Sequence, residues 1–160
     1  MVGTSSYHSA GYRPENAFQK TSNVYWHSGR DSEAKGDTVI PFPHLIWYSF
    51  KAPFTPGRVS FRPRHDTGCG ATGYWCGATQ WQFIGTNDED CDEKSAWTIL
   101  CEDMSGKRFE RPRQSKYCNV DLSIKKKFKC LGISVLDSSY DGPYSCVSMN
   151  GIRMWERILQ

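Results

Sequence analysis

The sequence predicts an all-β fold. Aromatic residues occupy 14% of the 160 positions, 14 glycines and eight prolines punctuate them, and the apolar residues come in short runs. Aromatic and β-branched side chains suit a pleated, half-buried surface, and Gly and Pro supply the sharp turns between strands. No segment keeps apolar residues at i, i+3, i+4 and i+7 over three turns, and Pro14 to Phe18 has room for one helical turn at most.

The clearest strand is Arg58 to Arg62, where Val59 and Phe61 face one way and Arg58, Ser60 and Arg62 the other, bounded by Pro56-Gly57 and Pro63. His44 to Phe50, Gln80 to Gly85, Trp97 to Cys101, Phe128 to Leu136 and Gly151 to Trp155 are further short runs with turn residues between them. Their loops are unequal and follow no fixed period, which favours a sandwich or jelly roll over a propeller or solenoid. The connections Ser5 to Thr21, His27 to Pro43 and Arg64 to Thr79 are too long for tight hairpins, and such loops in a compact β domain usually carry function.

A length of 160 residues fits one domain, 1–160, able to bury its own core. The net charge of +3, from 20 Lys and Arg against 17 Asp and Glu, is too balanced to mark a nucleic-acid-binding surface. The basic run Lys125, Lys126, Lys127 and Lys129 reads as a solvated turn and strand start, the alternative being a phosphate or membrane patch. No stretch nears 18 consecutive apolar residues, and Met1 to Ala10 has neither a basic nor an apolar leader region, so a soluble chain without its own export signal is expected. Seven cysteines, none in CxxC pairs, point to disulfides and an extracellular or cell-surface setting; a cytoplasmic protein with reduced thiols is the alternative. The odd count leaves at least one thiol outside an intrachain bridge.

The order of features resembles the discoidin (coagulation factor 5/8 type C) domain family. Ser5-Ser6, Gly11-Tyr12-Arg13-Pro14-Glu15-Asn16-Ala17-Phe18 and Trp26-His27-Ser28 look like its opening. His44 to Phe50 matches its first long core strand, Gln82 to Asp88 its strand and "GSND" turn, Trp97 to Leu100 the next strand, and Phe128 to Val135 a strand near the end. The resemblance runs roughly from Ser5 to Glu156. It implies an eight-stranded antiparallel jelly-roll barrel or sandwich of the galactose-binding-like type, with ligand loops at one end. Many relatives hold a structural calcium through an Asp-Gly after the Asn-Ala turn. Here Gln19 and Lys20 stand there, an ammonium repels Ca²⁺ and a neutral amide is a poorer ligand, so no cofactor is expected.

The resemblance puts Arg64 to Cys76 on the third projecting loop. Cys69 and Cys76 bracket six residues, a span that a disulfide can close, which would restrict the loop and reduce the entropy lost on binding. Tyr74 and Trp75 then sit at a held tip, suited to stacking on a sugar face, with one of the two expected to pack inward as a lid on the barrel mouth. Arg64, His65 and Asp66 supply a cation, a switchable donor and an acceptor, able either to orient a hydroxylated ligand or to form a salt bridge at the loop base. Fucose-type lectins of the family use a His with two Arg at spacings absent here, so fucose specificity does not follow.

Arg30 lies on the strongly polar second loop, which also contains Lys35-Gly36-Asp37, similar to an integrin-binding triplet that arises often by chance. Tyr140 and Tyr144 fall where sugar-binding relatives place a stacking aromatic, or are ordinary turn tyrosines. No nucleophile elbow, HExxH, phosphate loop or dinucleotide fingerprint is present, so an enzyme is not expected. The reading is a non-enzymatic binding module for carbohydrate or cell-surface adhesion. Anionic phospholipid is a weaker alternative, because the loop tips carry few aliphatics besides Val39 and Ile40; recognition of a protein partner is another.

Overall fold

The computed structural model describes residues 1–7, 9–20, 24–28, 41–64, 76–111, 114–139 and 146–157. Among these, nine strands form two antiparallel sheets: β1 (Val2–Thr4), β2 (Trp26–His27), β3 (His44–Phe54), β4 (Pro56–Arg62), β5 (Ala78–Thr86), β6 (Thr98–Asp103), β7 (Lys116–Asn119), β8 (Phe128–Ser138) and β9 (Ser148–Glu156). One sheet has the order β1-β3-β8-β5-β6, the other β2-β9-β4-β7. The two-residue β2 joins the eight strands that the jelly-roll expectation allows for. Ala10–Tyr12 and Pro14–Phe18 are short 3₁₀ turns, the second started by a proline whose fixed φ suits a first helical position.

The core lies between the sheets. Val59 and Phe61 of β4 are fully enclosed while Arg58 is exposed, as the period-2 pattern requires. They meet Trp81 and Phe83 of β5, Ile133 and Val135 of β8 and Met149 of β9; the Phe61 and Trp81 rings cross edge to face at 4.8 Å. Each such side chain, once buried, contributes about 2–3 kcal/mol.

β3 is apolar on both faces because both are covered. Ile46 faces the core, whereas Leu45 and Trp47 join Ile84 and Trp97 in a second cluster outside the five-stranded sheet. The β5–β6 loop supplies that cover, and Trp97 Nε1 donates to the Asp92 carbonyl at 3.0 Å. Gly132 of β8 lies opposite Trp47, where a Cβ would stand 2.7 Å from the Ile46 carbonyl oxygen. Only a glycine lets the two strands approach this closely.

Among the described residues, two disulfides tie strands in the second half of the chain. Cys91–Cys130 joins the β5–β6 loop to β8, and Cys101–Cys118 joins β6 to β7, which belong to different sheets. On the outer face of β4, the Arg58 guanidinium lies 4.3 Å from the Tyr117 ring centre and 5.5 Å from that of Trp155, so its stem shields two outward aromatics.

Candidate functional site

The registers bring one set of strand ends together. β3 starts at His44 opposite Val135, β5 starts at Ala78 opposite Ser138, β4 ends at Arg62 opposite Asn150, and His27 pairs with Ser148. The connections after Ser28, after Arg64, after Ser139 and before Cys146 therefore leave from one end of the sandwich.

Hydrogen bonds tie the bases of these connections to each other. Ser28 N–H donates to the Val147 carbonyl at 2.9 Å, and Val147 N–H donates to Ser28 Oγ at 3.1 Å. Ser148 N–H donates to the Cys76 carbonyl at 2.6 Å, and Ser139 N–H to the Gly77 carbonyl at 2.9 Å. Thr79 Oγ1 donates to Asp137 Oδ2 at 3.1 Å. Loops rooted this way leave a braced frame. Cys76 holds the left-handed conformation (φ 58), a strained backbone for a non-glycine residue, and it is disulfide-bonded.

The opening of the chain braces the same end. Ser5 Oγ accepts from Leu45 N–H at 2.9 Å, and the Ser6 carbonyl accepts from Trp26 Nε1 at 2.9 Å. Asn16 Nδ2 donates to the Gly11 carbonyl at 2.9 Å and to the Tyr25 carbonyl at 3.4 Å, which fixes the first turn against the segment leading into β2. Ala17 beside it is fully buried, leaving no room for a larger residue.

These braces assemble a row of basic and aromatic side chains. The Arg64 guanidinium lies 4.3 Å from the Tyr25 ring centre, Tyr25 stacks on Tyr12 at 5.2 Å, and Tyr12 lies 5.6 Å from the His27 ring. Arg64 and Tyr25 are buried, at 7% and 6% exposure, while Tyr12 and His27 are half-buried. Arg64 thus sets a buried guanidinium over an aromatic face, a contact for which a lysine ammonium is a poorer substitute.

Of the predicted site residues, Arg64 and Cys76 stand at this end. Arg30, His65, Asp66, Cys69, Tyr74, Trp75, Tyr140 and Tyr144 lie outside the described residues. Tyr12, Tyr25 and His27 were not singled out from the sequence as ligand contacts. Their signal was present in the family-like opening, where Gly11-Tyr12 and Trp26-His27 flank the Asn16 turn.

A second hollow, between β6 and β7, is lined by Lys107, Arg108, Phe109, Lys116 and Tyr117. Lys116 Nζ faces Asp103 at 3.7 Å and donates to the carbonyls of Ala78 and Lys107, so its hydrogen-bonding capacity is spent internally. Burial holds its pKa below the usual lysine value, opposed by the charge of Asp103. Asp103 is partly desolvated, which raises its pKa, but hydrogen bonds from Ser105 and the charge of Lys116 together hold it below the usual carboxylate value.

Two antiparallel sheets in this order form a β-sandwich of the jelly-roll kind. Solved structures share the fold. CBM32-3 from a family 31 glycoside hydrolase of Clostridium perfringens superposes with a TM-score of 0.69 at 15% identity, over 97% of this chain and 88% of that one. Chitosan-binding module 2 in complex with chitotriose, from a chitosanase/glucanase of Paenibacillus sp. IK-5, gives 0.65 at 14% identity, over 97% and 95%. The family 32 CBM of C. perfringens NanJ, in complex with galactose, gives 0.65 at 13% identity, over 98% and 93%. The sequence matches no family model and no curated protein.

Proposed function

We propose that this chain is a non-enzymatic carbohydrate-recognition module that binds its glycan at the loop end of the sandwich. One observation carries the reading: the row Arg64, Tyr25, Tyr12 and His27 lies at the end from which the connections after Ser28, Arg64 and Ser139 leave. Aromatic faces beside a fixed cation suit a sugar, which offers C–H groups for stacking and hydroxyls for hydrogen bonding. Two of the solved structures sharing the fold hold sugars, chitotriose and galactose, which supports the same ligand class here.

In this reading one of Tyr74 and Trp75, with Tyr140 and Tyr144, stacks on the ligand, and Arg30, Arg64, His65 and Asp66 orient its hydroxyls. A Cys69–Cys76 bridge closes the third loop. The disulfides Cys91–Cys130 and Cys101–Cys118 support an oxidising, extracellular setting for the module.

A glycan array tests this directly. The wild type is expected to retain a defined group of glycans, and the Trp75→Ala, Tyr144→Ala double variant to lose at least ten-fold in affinity for them. Equal binding by wild type and variant would remove stacking from the mechanism. Binding to phosphatidylserine vesicles with no glycan retained would overturn the carbohydrate assignment.

A further inference from the structure

Cys76 and Cys146 bring a disulfide and a thiol into contact at the base of the loop end. Cys146 carries a thiol, Cys76 is already in a disulfide, and their Sγ atoms lie 2.8 Å apart. Both residues are buried, at 5% and 0% exposure, and a ring nitrogen of His27 falls within 4.8 Å of both sulfurs. A metal would need both sulfurs as thiolates, and the bonded sulfur of Cys76 is not one.

We propose that Cys146, Cys76 and His27 form a thiol–disulfide exchange centre that interconverts two disulfide isomers of the native protein. Cys146 passes its proton to the His27 imidazole, and the thiolate attacks Cys76 Sγ. A Cys76–Cys146 bond forms while the existing disulfide at Cys76 breaks. The bonding pair leaves on the departing sulfur, which takes up the proton from His27. One disulfide replaces another, so no oxidant or reductant is consumed. Attack is intramolecular and shielded from solvent, which favours this thiol over any from outside.

The second isomer joins the start of β5 to the start of β9. Ser148 N–H already donates to the Cys76 carbonyl at 2.6 Å, so the two segments need little movement to accept the bridge. That bridge would cross from one sheet to the other at the loop end, as Cys101–Cys118 does at the β6–β7 edge.

The test is a time course on the folded wild-type protein at pH 8 without added thiol, quenched with acid, digested without reduction and mapped by mass spectrometry. A peptide pair linked through Cys76 and Cys146 is expected beside the original Cys76 linkage. The His27→Gln variant should approach the same isomer ratio several-fold more slowly, and Cys146→Ser should show the original linkage alone. Recovery of Cys146 wholly as thiol after prolonged incubation would overturn the proposal. The wild-type time course decides by itself even where a variant folds poorly. The readout is covalent, so it stands or falls apart from glycan binding.

Discussion

The Arg64 guanidinium lies over the Tyr25 ring, 4.3 Å from its centre, with both side chains buried, so a cation braces the aromatic row at the loop end. A guanidinium stacked on a desolvated ring contributes about 1–2 kcal/mol, and a lysine keeps the charge without the plane. Arg64→Lys is therefore expected to lower stability by about 1 kcal/mol in urea unfolding. Arg64→Ala should cost more, because it also removes packing. Calorimetric titration with the glycan retained on the array should show weaker binding in both variants.

Two glycines predict opposite outcomes. A Cβ at Gly132 would meet the Ile46 carbonyl oxygen at 2.7 Å, a backbone atom inside a paired strand that cannot swing aside. Gly132→Ala should destabilise by about 3 kcal/mol or more, or prevent folding. A Cβ at Gly11 meets nothing within 4 Å, and Gly11→Ala should stay within about 0.5 kcal/mol of wild type. Thermal melts of the two variants side by side decide the point.

The disulfide between β6 and β7 closes a loop with a sequence separation of 17. Replacing Cys101 and Cys118 together by Ala should cost about 3 kcal/mol, chiefly by enlarging the unfolded ensemble. The loss should appear as a lower denaturant midpoint, with glycan binding retained at low temperature.

Asp103 makes stability depend on pH. Its folded pKa lies below its ordinary value of 3.8, so it stabilises the folded state above that value, and the contribution is lost as pH falls through the lowered folded pKa. Asp103→Asn should lower the urea midpoint at pH 7, and the gap from wild type should close as pH drops below about 4. A gap that persists unchanged at pH 2.5 would assign the effect to packing.

What the sequence revealed followed the range of each interaction. The alternation of Val59 and Phe61 against Arg58 is local, and it marked β4 and its buried face. Ser5-Ser6 and the Asn16 turn were visible as a pattern, though their work as braces on Leu45, Trp26 and Tyr25 depends on distant partners. β3 could not be split into faces from its residues, because Ile46 and Trp47 are both apolar and serve two separate clusters.

The site followed the same rule. Arg64 stood out beside its chain neighbours His65 and Asp66, yet its aromatic partner Tyr25 comes from another segment and left no local trace. Cysteine content predicted bridges, but the pairings Cys91–Cys130 and Cys101–Cys118 depend on which strands adjoin, which spacing does not encode.

The nesting of those two bridges sets how the domain would respond to tension applied at its ends. Cys101–Cys118 lies wholly inside the segment spanned by Cys91–Cys130, so the outer bridge alone removes its sequence separation of 39 from any extension. At roughly 3.5 Å per extended residue this withholds on the order of 130 Å of contour length when the molecule is pulled apart. The three-residue β1 sits at a sheet edge outside both bridges and would peel away first, whereas the segment carrying β6 and β7, one strand from each sheet, stays covalently closed however far the ends are drawn apart.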